Sequence, residues 1–492
     1  MKNAKYSLLI SLSLLLCSHF VVIAQNVKAN DDVALELLKL EQSTLLSRGA
    51  VGLWVQEVET GNVLVNYHAE QSYMPASNLK IITTATALEL LGPDYRYKTK
   101  GFYSGKVDSL GSLKGDLLVV GSGDPSLGSD QVAGRSLASL MDLWSESLIK
   151  KGVKSITGDL IIDVSAYDAN PVPDFWPWTD LGNYYGAGSY GLNVSDNMVK
   201  LYFQQNKAEG KSVKFLRSEP DMKGMSYVNA VTTGPAGSKD EAYIYGAPYQ
   251  ANRMILGTLP PGEIEYKIKG SMPNPPVWFG VLLKQALKSK GIIIKGEVKV
   301  NSETVNIKSL STWFEYESPS LAELARITNF FSVNLYAESI FQQIALARTG
   351  QGDRGIAISE VKRFWSSVGI DTLGWILLDG SGLSPLNAIS PEQMGKVLRY
   401  MAKDSKVGNA FLQSLPKAGK DGTVYWFGKN TALENNAQLK SGSFNGTLCY
   451  SGYLTTKSNK RVVFSIMMNR YEGEMRAAAK KLLPILEKVA EY

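Results

Sequence analysis

The spacing of apolar positions divides the chain into three stretches. Between Asp31 and about Lys98, helical and strand patterns mix. DDVALELLKLEQSTLL carries apolar residues three and four apart, as one face of a helix requires. VGLWVQEVETGNVLVNY reads as two strands around a turn at Thr60-Gly61. KIITTATALELLG then stays apolar along its length, predicting a helix whose first turn, two residues after Pro75, holds Ser77. Beyond Thr99 the texture becomes short alternating strands rich in glycine, as in GDLLVVGSGDPSLG and ITGDLIIDVSAYD. An aromatic segment, DFWPWTDLGNYYGAGSYG, follows, and β-like stretches continue to GIIIKGEVKV.

Near Pro319 helical spacing returns in SPSLAELARITNFF and SVNLYAESIFQQIALARTG. ISPEQMGKVLRYM predicts another helix, with Ser390 as cap and Pro391 at its first position. NAQLKSG, TLCYSGYLTT and RVVFSIMMNRY read as strands, before a last helix ending at Tyr492. That helix, RAAAKKLLPILEKVAEY, suits a membrane surface or a core; Pro484 is expected to interrupt it, and core packing is the preferred reading.

This order describes one α/β catalytic domain split in sequence. Residues 25–97 form its first part and 313–492 its second, with 98–312 an inserted β-rich region of two subdomains. Residues 1–24 read as a secretory signal peptide: Lys2 and Lys5, an apolar run from Leu8 to Ile23, then Ala24 before the cut. The run is short for a membrane span. Ala29 is a second candidate cut, and a lipid anchor on Cys17 is disfavoured by the bulky Leu16 before it.

Composition narrows the chemistry. The net charge is +6, with no long basic run, so nucleic acid is not an implied partner. Cleavage leaves one cysteine, Cys449, and therefore no internal disulfide; the exported chain must rely on core burial. It also leaves one histidine, His68, in the polar stretch NYHAEQ, where a surface or packing role fits. A zinc site would lack its ligands and a Ser-His-Asp triad would depend on that single residue. No metal or cofactor is expected, and a hydrolase built from this chain needs another base.

Four S-x-x-K matches occur: Ser77/Lys80, Ser147/Lys150, Ser359/Lys362 and Ser414/Lys417. Only the first opens a long apolar helix. Residues three apart share a helical face, which brings Lys80 within reach of the Ser77 hydroxyl, and the exposed N–H groups of a first turn favour developing negative charge. A neutral lysine can take a serine proton if burial and a second positive charge lower its pKa. K-[ST]-G occurs once, as Lys440-Ser441-Gly442 at the end of a predicted strand, with Gly442 leaving room for another backbone. An ordinary strand end is the competing reading. S-x-N occurs at Ser195-Asp196-Asn197, Ser332-Val333-Asn334 and Ser443-Phe444-Asn445. Ser332 and Asn334 are preferred because their position between two helices can face a cleft; capping is the alternative role for Ser332.

S-x-x-K, S-x-N and K-[ST]-G in that order are far more specific together than singly. With PASNLKIITTATALELLGPDYRYKT, GDLLVVGSGDPSL, SVNLYAES, LDGSGLSPLN, GKDGTV and LKSGSFNGTLCYSGYL, the chain resembles the low-molecular-mass class C penicillin-binding proteins, the D-alanyl-D-alanine carboxypeptidase/endopeptidase family. That family also carries a long insertion between its first two motifs. Serine replaces threonine in the third motif here, Val333 stands mid-motif in the second, and Pro385 follows DGSGLS where a basic residue is more usual.

The resemblance implies a penicillin-binding/β-lactamase-like transpeptidase fold: an antiparallel sheet flanked by helices, plus a helical subdomain and the insertion. It implies a periplasmic enzyme that removes terminal D-alanine from peptidoglycan stem peptides, extends to cross-link cleavage, and is acylated by β-lactams. Ser77 would be the nucleophile, Lys80 its base, Ser332 a proton relay and Asn334 a clamp on the substrate backbone. Lys440 and Ser441 would bind the terminal carboxylate, the N–H groups of Ser77 and Ser443 would form the oxyanion hole, and Asp379 and Ser381 in DGSG would line the cleft.

A β-lactamase is the alternative enzyme, but it needs an added carboxylate to activate water, and none is assignable. An inactive peptidoglycan-binding protein is the non-enzyme alternative. Trp176, Trp178, Tyr184 and Tyr185 could stack on sugars, although core packing is the commoner use of such residues. A peripheral membrane association of the last helix is kept as a further partner reading.

Overall fold

The structure, a computed structural model, describes residues 31–492. The signal peptide expected over 1–24, with Cys17 and the candidate cut sites Ala24 and Ala29, lies outside the described residues.

A five-stranded antiparallel sheet organises both ends of the chain. Its order is Gln438–Phe444, Thr447–Thr455, Arg461–Asn469, Ala50–Glu57, Val63–Tyr67. Side chains alternate across a strand, and here the two sets meet different partners. Leu439, Leu448, Tyr450, Phe464, Ile466 and Val55 pack against the terminal helices Asp31–Glu41 and Met475–Ala490. Cys449, Tyr453, Val463 and Met467 face a helical layer that includes Leu79–Leu91, Leu321–Phe331, Asn334–Thr349, Arg354–Ser367 and Pro391–Lys403. This register fixes Lys440. It follows Leu439, so it points to the helical side, opposite Ser451 on the next strand.

The helix Pro391–Lys403 starts as expected: Ser390 accepts from the Gln393 N–H, with Pro391 in the first turn. Met475–Ala490 departs from expectation, because it runs through Pro484 without a break. A helix-interior proline costs about 3 kcal/mol. Full burial of Leu482, Ile485, Leu486 and Val489, at about 1.5–3 kcal/mol per side chain, outweighs that. The apolar face is therefore turned to the sheet and to Asp31–Glu41, not to a membrane. Among the described residues no helix is long and apolar enough to cross one.

The chain enters the insertion through Lys98–Tyr103 and returns through its antiparallel partner Ser311–Glu317. The pairing continues to Glu317, so the expected limit at 312 falls inside this strand. Val298–Asn301, Leu160–Asp163 and Leu117–Val120 complete a five-stranded sheet. Two helices, Leu137–Lys150 and Pro275–Ser289, and three three-stranded sheets share its core. Sequence patterning missed the second helix because it read that region as continuous β-like stretches.

Candidate active site

Pro75 leads into a tight 3-10 turn, Ala76–Asn78, and the helix proper begins at Leu79. The turn is clamped from both sides. A Cβ on Gly442 would come within 2.5 Å of the Pro75 carbonyl and 3.0 Å of the Ser77 nitrogen. One on Gly382, itself at φ 83°, would meet the Ala76 carbonyl at 1.8 Å. Ala76 is held at φ 45°, a backbone conformation a non-glycine residue adopts only under such constraint. Asn78 ties the turn to the sheet by donating to Ser451 Oγ at 2.7 Å. Ser77 is left half-exposed at the floor of a cleft of about 900 Å³.

Lys80, one helical turn on, is fully buried. Its Nζ lies 3.0 Å from Ser77 Oγ, 2.6 Å from Asn334 Oδ1 and 2.7 Å from the Ser381 carbonyl. Burial lowers its pKa to about 7, against the opposing pull of the Asp379 and Glu338 carboxylates. A neutral amine has two N–H donors and one lone pair. Asn334 and Ser381 accept the two donors, which leaves the lone pair for the Ser77 hydroxyl.

Lys440, also fully buried, donates to Ser332 Oγ at 3.0 Å and to the Ser441 carbonyl at 2.6 Å. Burial and the neighbouring Lys80 charge push its pKa well down. Burial is the first cause at both lysines. Ser332 is in the left-handed conformation, φ 57°, at the C-terminal end of Leu321–Phe331. It does not cap the next helix: Val333 holds that position without a side-chain bond, and the Ser332 hydroxyl instead meets Lys440. Ser441 is half-buried and shares a 2.8 Å bond with Thr423, a cleft residue, and Ser443 lines the cleft.

Asp379 and Ser381, expected in the cleft wall, are fully buried beneath it. Asp379 accepts from Gly382 N at 2.7 Å, Ser384 N at 2.6 Å, Asn387 Nδ2 at 2.9 Å and Trp176 Nε1 at 2.9 Å. Four donors leave no acceptor capacity for substrate. Ser381 contributes its carbonyl to Lys80, so this loop supports the base instead of touching ligand.

Several partners had no sequence signal. The Tyr185 carbonyl, from the insertion, accepts from Asn334 Nδ2 at 2.8 Å and so turns Oδ1 toward Lys80. Glu338, one turn after Asn334, is buried, accepts from Gly380 N at 3.0 Å and lies 3.8 Å from Arg354. Burial raises its pKa to about 7. The aromatic residues proposed for sugar stacking divide: Trp176 is core, while Trp178 and Tyr184 are about half-exposed. His68 is a surface residue 3.8 Å from Glu41.

The model of the D-Ala-D-Ala carboxypeptidase 3 (S13) family matches residues 34–488. The chain is 28% identical over 457 residues to the D-alanyl-D-alanine carboxypeptidase of Actinomadura sp. (strain R39), covering 90% of this chain and 82% of that one. It is 26% identical over 440 residues to the D-alanyl-D-alanine carboxypeptidase DacB of Haemophilus influenzae, covering 88% of each. Among solved structures, penicillin-binding protein 4 (dacB) of Haemophilus influenzae superposes with a TM-score of 0.80 at 22% identity, over 94% of this chain and 100% of that one. The fold expected from the motifs is therefore the fold observed.

Proposed function

The chain belongs to the D-Ala-D-Ala carboxypeptidase 3 (S13) family of serine-type hydrolases, and from that premise we propose that it removes terminal D-alanine from peptidoglycan stem peptides in the periplasm through an acyl-enzyme on Ser77. The observation that carries this reading is the 3.0 Å approach of a buried, low-pKa Lys80 to a half-exposed Ser77. The basic start and apolar run before Ala24 support export.

In this mechanism the Ser77 oxygen attacks the carbonyl carbon of the penultimate D-alanine as its proton passes to Lys80 Nζ. Charge on the carbonyl oxygen is met by the N–H groups of Ser77 and Ser443, at roughly 3 kcal/mol per donor. The C–N bond then breaks. The leaving D-alanine amine takes a proton from Ser332, whose hydroxyl Lys440 holds at 3.0 Å. The proton that Lys80 took from Ser77 restores it, so Lys80 is neutral again for the hydrolytic step. Asn334 clamps the substrate backbone, and Lys440 with Ser441 receives the terminal carboxylate, whose charge favours the ammonium form of Lys440. Water finally cleaves the ester. Cross-link cleavage is the same reaction with a longer leaving group.

β-Lactams present a carboxylate and a strained amide to the same groups, so they acylate Ser77. Glu338 and Asp379 are both fully buried, so neither is placed to activate water at that ester. The test is D-alanine release from a D-Ala-D-Ala-terminated peptide. Wild type turns over, Ser77→Ala does not, and turnover by the variant would overturn the reading.

A further inference from the structure

The insertion supplies none of the reacting groups, yet it touches the parts that hold the base. Lys80 has two fixed acceptors, Asn334 Oδ1 and the Ser381 carbonyl, and each is tied to the insertion by one bond. Asn334 is oriented by the Tyr185 carbonyl at 2.8 Å. The Ser381 carbonyl belongs to the loop that Asp379 organises. Trp176 reaches Asp379 from 203 residues away and donates its indole N–H at 2.9 Å. The indole is 7% exposed and Asp379 fully buried, so water does not compete for this bond. The remaining donors to Asp379 all come from its own loop, residues 382–387. The same loop is pinned to the nucleophile helix, where Thr83 Oγ1 donates to the Gly380 carbonyl at 2.6 Å, and to Glu338 through Gly380 N.

We propose that Trp176 is a positioning residue for the reaction: its N–H, donated to Asp379, fixes the Ser381 carbonyl under Lys80 and moderates the negative charge that Lys80 faces. The proposal rests on Lys80 being the base. Removing the donor leaves the Asp379 carboxylate more strongly negative toward Lys80, which favours the ammonium and loosens its acceptor. Both changes reduce the population of the reactive amine. The other charges facing this centre are Glu338, itself near Arg354, and Lys440 across the cleft floor. Any shift in the base is measured against that fixed set.

The test is a pH profile of kcat and KM for D-alanine release in Trp176→Phe, Asp379→Asn and the double variant. Trp176→Phe is expected to lower kcat about tenfold with KM within about twofold, and to move the acid limb upward by about half a pH unit. Asp379→Asn removes a negative charge, so its acid limb is expected to move downward. In that background Trp176→Phe is expected to add less than about twofold, because it acts through the missing carboxylate. Trp176→His, which keeps an N–H on a smaller ring, is expected to lie between Phe and wild type.

An unchanged limb and kcat in Trp176→Phe, or effects that multiply in the double variant, would overturn the proposal. If Trp176→Phe does not fold, the direction of the Asp379→Asn limb decides instead, and an upward shift overturns it. Lys80→Arg separates the two possible failures. A variant that still acylates refutes Lys80 as base, whereas a dead variant beside a wild-type-like Trp176→Phe refutes only the role of Trp176.

Discussion

Ser332-Val333-Asn334 and Ser195-Asp196-Asn197 carry the same outer residue types at the same spacing. Both begin at a serine in the left-handed conformation, and both border the same cleft. Their hydrogen bonds differ completely. Asn197 is consumed by its own corner: its Oδ1 accepts from Val194 N at 2.9 Å, and its Nδ2 donates to Gly188 O and Asn193 Oδ1. Asp196 accepts from Ser129 Oγ at 2.5 Å. Ser332 and Asn334 instead meet lysines from two other elements, Lys440 and Lys80. The four S-x-x-K pairs repeat the lesson. Ser147, Ser359 and Ser414 donate to carbonyls of their own helices or turns, while Ser77 meets the lysine of its pair. A motif does chemistry where the local fold leaves its polar atoms unpaired.

The sharpest break of this comparison removes the groups that do meet. Ser77→Ala and Lys80→Ala are each expected to lower D-alanine release at least about 10³-fold, with circular dichroism unchanged. Retained turnover in either would dissolve the distinction.

The two asparagines give the next contrast. Asn334→Ala should lower kcat/KM about 100-fold, because Lys80 loses an acceptor that orients it. Asn197→Ala should leave activity within about threefold and reduce stability by about 2–3 kcal/mol, the cost of orphaned buried groups; urea unfolding measures it. A reversed pattern would mean that the insertion's corner is the catalytic one.

Gly442→Ala is expected to cost roughly 10–100-fold in acylation rate, since the new methyl group must push the strand from the Ser77 turn. The same change at Gly92, where a Cβ meets nothing within 4 Å but φ is 84°, should be read in thermal stability alone.

The smallest expected effect is a pH response. A base must be neutral, and Lys80 has a pKa lowered to about 7. Acylation should therefore be full above pH 8 and fall about tenfold per unit below about pH 7. A limb near pH 10 would indicate an ordinary, solvated lysine.

How much of this was readable in the sequence follows the range of each interaction. Ser77 and Lys80 are one helical turn apart, so periodicity exposed them. Lys440 was legible because K-[ST]-G occurs once, at the end of a predicted strand. Asp379 and Ser381 were expected to line the cleft and instead lie fully buried beneath it; nothing in DGSG tells whether a carboxylate faces substrate or its own loop N–H groups. Tyr185 and Trp176 were not legible as partners at all. Their bonds cross 149 and 203 residues, and such a pairing leaves no local pattern. Pro484 was misjudged because propensity was weighed without the burial that surrounds it.

The central claim is that Ser77, activated by Lys80, forms the ester. It is tested most directly by treating the protein with penicillin and mapping the modified peptide by mass spectrometry. One adduct on the peptide containing Ser77, absent in Ser77→Ala, is the predicted result. No adduct on the intact protein, or an adduct on Ser332, Ser195 or another serine, would contradict it.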